Sequence, residues 1–215
     1  MNPFRNGAYR CYNEKSSIRA AMKRCTSLVL ASASPRRKEV LRQLGIRFET
    51  VASSVEENWE DSDDPAHVTI QLAVKKVQEC PVAADVVVGM DTLVVVGRRK
   101  LGKPRNASEA MEMLRALSNR MHQVITGVAL RRGTRLVTDT EKTCVYFRKL
   151  TAREIDWYVK TGEPFGKAGA YAIQGLARIF INRIDGCYFN VVGFPIACFQ
   201  RALGRLGLSV YSFMR

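Results

Sequence analysis

The stretch Val86-Val87-Val88-Gly89-Met90-Asp91-Thr92-Leu93-Val94-Val95-Val96 is apolar at nearly every position. Successive side chains of a strand point to opposite faces, so a run without alternation predicts a central strand covered on both sides. Asp91 is the exception. A carboxylate in an apolar sheet has to be hydrogen-bonded, ion-paired or metal-bound, because an unpaired charge there is prohibitive. The residues leave two readings open, a structural salt bridge to one of the chain's many cations and a functional carboxylate.

Outward from this strand, strand-like and helix-like segments alternate. Residues 27–31 read as an apolar strand, and residues 35–44 as a helix with Val40, Leu41 and Leu44 on one face, stopped by Gly45. A strand at 48–52 and an acidic loop at 56–64 lead through Pro65 into a helix to about residue 79, with Val68, Leu72 and Val77 inward. Beyond the central strand come a Gly102-Lys103-Pro104 turn and a helix at 107–117 with Met111, Leu114 and Leu117 on one stripe. Strands at 123–130 and 142–147 are joined through a turn at Gly133. A helix at 152–159, a Gly-rich segment at 162–175, more strand and a terminal helix at 195–206 complete the chain. The alternation predicts an α/β sheet with helices on its faces, with no internal repeat and no interdomain linker.

The chain has 215 residues, room for one domain or two small ones, and its 47% apolar and 25% charged content is that of a soluble globular protein. Its net charge of +14 points to phosphate-bearing partners or anionic surfaces. Cys11, Cys25, Cys80, Cys144, Cys187 and Cys198 form no C-x-x-C pair, and His67 and His122 are the only histidines, which argues against a zinc or disulfide framework. No apolar stretch reaches the roughly 18 residues of a membrane span. The expectation is a soluble protein in a reducing compartment. Residues 1–26 carry Arg5, Arg10, Lys15, Arg19, Lys23 and Arg24 against Glu14 and read as a flexible basic arm, with an organellar transit peptide as the alternative.

Several stretches carry chemistry. In Leu30-Ala31-Ser32-Ala33-Ser34-Pro35-Arg36-Arg37 a strand ends in small residues and a helix begins with Ser34 as N-cap. Cations in a first helical turn oppose the helix dipole unless an anion binds, so Arg36 and Arg37 are phosphate-gripping candidates, against a reading as solvated arginines. Glu56 and Glu57 are either solvated or hard-metal ligands; Mg²⁺ on a polyphosphate takes only one or two protein carboxylates, for which Glu57 and Asp91 suffice. Lys76 and Lys103 are weak signals taken singly. The Gly-rich segment, Gly162 to Gly175, permits close approach of a ligand to the backbone, but its spacing is not that of a Walker loop. A nucleophile elbow, a dinucleotide fingerprint and a serine–histidine–aspartate arrangement are all missing.

In order, Ala-Ser-x-Ser-Pro-Arg-Arg, Glu-Glu, Gly-x-Asp-Thr, Gly-Lys-Pro, Thr126-Gly127-Val128, the Gly-Lys-Ala-Gly-Ala-Tyr-x-Ile-Gln-Gly segment and Asn190-Val191-Val192-Gly193-Phe194-Pro195 closely resemble the Maf family of nucleotide pyrophosphatases. The resemblance spans about residues 27–208, leaving the basic arm at 1–26 and a short tail at 209–215. It implies an elongated mixed sheet flanked by helices around a deep cleft, similar to the inosine-triphosphatase-like pyrophosphatases, and often a homodimer. It further implies Mg²⁺- or Mn²⁺-dependent hydrolysis of nucleoside triphosphates to monophosphate and pyrophosphate. By motif, Ser32 joins the site, and Arg36, Lys76 and Lys103 meet the triphosphate. Glu57 and Asp91 serve metal and water, while Arg37, Thr92 and Gln174 support base selection. Consecutive arginines, Asp-Thr and Gln-Gly resemble the branch acting on dTTP, UTP and sometimes CTP rather than the 7-methyl-GTP branch. Met90 and Phe194 depart conservatively from the residues common there. The competing class is a nucleic-acid-binding or cell-division regulatory protein using the basic surface, which requires aromatics interleaved with cations; only Tyr9 and Tyr12 in the arm come close.

Overall fold

The apolar runs assemble into one mixed sheet of seven strands in a computed structural model that describes residues 26–56, 58–59 and 63–214. The strands are β1 (Leu28–Ala31), β2 (Glu49–Val51), β3 (Val86–Val96), β4 (Arg99–Leu101), β5 (Met121–Arg132), β6 (Arg135–Phe147) and β7 (Ile181–Asp185). Their order is β2-β1-β3-β5-β6-β7, with β4 also on β3. Pairing is parallel for β1 with β2 and β3, and antiparallel elsewhere. Crossover helices α1 (Pro35–Gln43) and α2 (Pro65–Gln78) supply the parallel half, as parallel neighbours require. The remaining helices are α3 (Ala107–Leu117), α4 (Ala152–Lys160), α5 (Tyr188–Val192) and α6 (Ile196–Arg205). No described helix is long and apolar enough to cross a membrane.

β3 is the central strand that its composition predicts, buried at every residue except partly buried Thr92. Its alternation divides the core. Val86, Val88 and Met90 pack with α6 residues such as Phe199 and Leu203, whereas Val94 and Val96 join Leu114, Leu117, Tyr158 and Phe180. On the opposite face Val87 meets Ala73 and Val77 of α2, and Leu93 meets Val68 and Leu72.

Local expectations differ from the structure at four places. The buried stripe of α3 is Ala110, Met113, Leu114 and Leu117, with the expected Met111 partly buried against the same core and Met113 added to it. β4 was not expected, since three residues after a Gly97 turn show no period of their own. Strands β5 and β6 are longer than their apolar centres because a hairpin keeps pairing through polar residues up to Gly133-Thr134. The five-residue α5 is too short to reveal periodicity. Near the chain end, Val210 and Phe213 are buried against the α6 core.

Candidate active site

β1 pairs with β3 only as far as Val88, and β4 takes the same edge of β3 only from Val94 onward. Between these points β3 is paired on its β5 side, with Asp91 opposite Gly127 and Thr92 opposite Thr126. A cleft of about 290 Å³ opens at this gap. Such a place, outside the carboxyl end of a parallel strand where the topology changes, is where α/β sheets ordinarily bind ligands.

Ser32, Arg36, Arg37, Lys76, Asp91, Thr92, Lys103 and Gln174 all line this one cleft. They come from the end of β1, the start of α1, α2, β3, the turn after β4 and the Gly-rich loop. Glu57 lies outside the described residues, as does the basic arm through residue 25.

Asp91 is 4% exposed and Lys76 7%; Lys76 Nζ donates to Asp91 Oδ1 at 2.5 Å. The cation anticipated for the lone acid is therefore a cleft residue itself. The salt-bridge and functional readings meet in one pair. Its contact depends on glycine. A Cβ on Gly89 would lie 2.4 Å from Ala73 O and 2.7 Å from Val77 Cγ2, and one on Gly127 would lie 2.4 Å from the Thr69 carbonyl. Side chains at these floor positions would hold α2, and with it Lys76, off the sheet.

Arg36 and Arg37 differ in environment despite adjacency. Arg37 is buried and donates from Nε to Gly193 O (2.8 Å), from one terminal nitrogen to Met90 O (2.9 Å) and Ser32 Oγ (3.2 Å), and from the other to Thr92 Oγ1 (3.1 Å). A guanidinium so committed is a brace joining the end of β1, β3 and the α5–α6 turn, while both arginines line the cleft. Arg36 is partly buried, reaches Val192 O at 3.4 Å and has its pKa lowered by burial. Ser34 occupies the N-cap position without a side-chain capping bond. By contrast Asp64, Asn106 and Thr151 cap α2, α3 and α4 through their side chains. The α1 start thus faces the cleft without a side-chain cap, the arrangement that favours an anion.

The far wall is the Gly-rich loop. Gln174 is exposed, and Arg178 holds the carbonyls of Gln174 and Gly175. Glu163 accepts the backbone N–H groups of Leu176 and Ala177 and the Tyr158 hydroxyl. Gly169 N donates to Gly102 O at 3.0 Å, tying this wall to the turn that carries Lys103. Tyr171 also lines the cleft, and its hydroxyl lies 2.9 Å from Nε2 of buried His122. Burial pushes His122 down to about 3, so it stays neutral at ordinary pH.

Sequence reasoning left Glu163, Lys167, Tyr158 and His122 without roles. Glu163 and Lys167 flank the glycines already noted, and that proximity was the available signal. Tyr158 and His122 gave none, each being one polar residue in a segment of mixed polarity.

Among the described residues no group of three or more His, Cys, Asp or Glu is arranged to hold a metal. A divalent ion carried mainly by a polyphosphate needs less, and Asp91 supplies one oxygen donor group of suitable hardness in the cleft.

Residues 27–206 match the family model described as Maf-like protein. A dTTP/UTP pyrophosphatase of Desulforamulus reducens is 45% identical over 188 residues, covering 85% of this chain and 98% of the relative. Proteins of the same name from Symbiobacterium thermophilum (46% over 187 residues; 86% and 96%) and Bacillus cytotoxicus (46% over 177 residues; 81% and 93%) are similar. With this match across the sheet and every described wall of the cleft, the chain belongs to the Maf family.

Proposed function

We propose that the chain is a nucleoside triphosphate pyrophosphatase that hydrolyses dTTP and UTP to the monophosphate and pyrophosphate, in nucleotide-pool control or house-cleaning. The observation that carries this reading is the gathering of Arg36, Lys76, Asp91, Lys103, Thr92 and Gln174 around one cleft. Relatives sharing nearly half their residues and bearing that activity in their names support it.

In this reading Arg36, Lys103 and the α1 start bind the phosphates, and Lys76 orients the Asp91 carboxylate through Oδ1. Water attacks the α-phosphorus, the bond from that phosphorus to the α–β bridging oxygen breaks, and pyrophosphate leaves with its electron pair. Asp91 accepts the proton of the attacking water. A Mg²⁺ or Mn²⁺ ion held by Asp91 and Glu57 would neutralise phosphate charge and acidify water when bound. Arg37, buried on Thr92, keeps that hydroxyl and the Gly193 turn in register with Gln174 at the base end.

A UTP digest is expected to yield UMP and pyrophosphate, with metal dependence tested by adding Mg²⁺ or Mn²⁺ to chelated protein. Accumulation of UDP and orthophosphate on chromatography contradicts the reaction. Selectivity supplies a second test. A pyrimidine's carbonyl–imino–carbonyl edge suits a side-chain amide, which both donates and accepts. Gln174→Glu leaves polar groups unmatched at about 1–3 kcal/mol each, roughly a 5- to 150-fold loss on dTTP and UTP. Residual purine triphosphate turnover should fall less. Equal loss on every substrate would assign Gln174 to the phosphates or the fold.

A further inference from the structure

Lys167 lies between Gly166 and Ala168, two residues that line the same cleft as the Lys76–Asp91 pair. Its ammonium donates to the carbonyls of Glu163 (2.5 Å) and Phe165 (3.3 Å), which fixes its direction and uses two of its three protons. The Glu163 carboxylate, the obvious neutraliser, is committed to Tyr158, Leu176 and Ala177. Among the described residues neither Lys167 nor Arg36 forms an ion pair with a carboxylate. Burial first and the nearby Arg36 charge second lower the Lys167 pKa, against an opposing pull from the Glu163 charge. Partly desolvated like charges that no carboxylate bridges directly are better accommodated when an anion comes between them.

We infer that Lys167 is a further substrate-binding residue, closing with Arg36 a two-cation grip on the phosphate oxygens of the nucleotide. The inference rests on the proposed pyrophosphatase reading for the identity of the anion, and on two cleft-wall cations with no direct carboxylate partner for its existence. Held on a loop tied to the Lys103 turn through Gly169 and Gly102, the Lys167 ammonium reaches the anion from the wall that also carries Gln174. Base recognition and phosphate binding are thereby coupled through one short segment.

Inorganic tripolyphosphate, titrated calorimetrically in metal-free buffer, tests the grip without requiring turnover. Lys167→Met should weaken its binding by about tenfold or more, the usual loss for a charged hydrogen bond, and Lys167→Arg should restore most of it. In steady state Lys167→Met should raise KM for UTP by a similar factor with a smaller change in kcat. Wild-type tripolyphosphate affinity in a folded Lys167→Met protein overturns the inference, as does a change confined to base selectivity. Should that variant fail to fold, Lys167→Gln carries the same measurement. If the wild-type protein binds tripolyphosphate in a Lys167-dependent way yet leaves UTP intact, the pyrophosphatase reading fails and the grip stands.

Discussion

Asp91→Asn is expected to lower UTP turnover by at least about 100-fold, the range for losing a general base or a metal ligand. The same change removes the charge facing buried Lys76, and breaking a buried pair by removing one partner costs about 3–5 kcal/mol. Activity and stability should therefore fall together, so the single variant does not separate catalysis from packing. The double variant Asp91→Asn, Lys76→Met isolates the stability part. With the ammonium removed as well, its thermal midpoint should recover relative to Asp91→Asn, while turnover stays at least 100-fold down. Recovery of turnover along with stability would reduce Asp91 to a structural ion-pair partner.

Gly127→Ala should lower turnover by about 100-fold although the new methyl touches no nucleotide. The added Cβ would sit 2.4 Å from the Thr69 carbonyl carbon and oxygen and 2.5 Å from the Ile70 nitrogen, all helix backbone. No rotamer change relieves such a contact. Helix α2 must lift, and Lys76 moves with it away from Asp91. A misplacement near 1 Å can cost about 100-fold in rate, and overpacking about 1–3 kcal/mol in stability. The stability loss corresponds to a fall in thermal midpoint of roughly 2–4 °C per kcal/mol for a chain of this size. Gly204 in α6 is the control, because a Cβ there meets nothing within 4 Å. Gly204→Ala should leave turnover unchanged and the midpoint equal or higher. Unchanged activity in Gly127→Ala would show that the Lys76–Asp91 contact tolerates helix displacement.

These two outcomes concern features with different visibility in the chain. Asp91 is legible because a charged residue interrupts an apolar run, a purely local contrast. The role of Gly127 is not, since a glycine in a strand has several meanings until the element packed over it is known. In the same way, α1, α2 and the α3 boundaries follow from Pro, N-cap and periodic residues within each segment. The short β4 and α5 were missed because neither is long enough to carry a period.

By itself the sequence determined the alternating elements, the central position of β3 and, through the family resemblance, the set of side chains that the described structure gathers around the cleft. Those properties rest on local patterning, which covalent order expresses directly. Tertiary structure decided which partners each of the gathered residues meets. Arg36 and Arg37 are indistinguishable as neighbours, yet Arg37 donates to a carbonyl 156 residues away at Gly193, whereas Arg36 is only partly buried and forms no ion pair with a described carboxylate. The gap on the β3 edge likewise exists only because β1 stops at Val88 and β4 begins at Val94. Which donors are spent and which remain for a ligand depends on partners brought together by sheet topology and helix packing, and those distances are not written in any one segment.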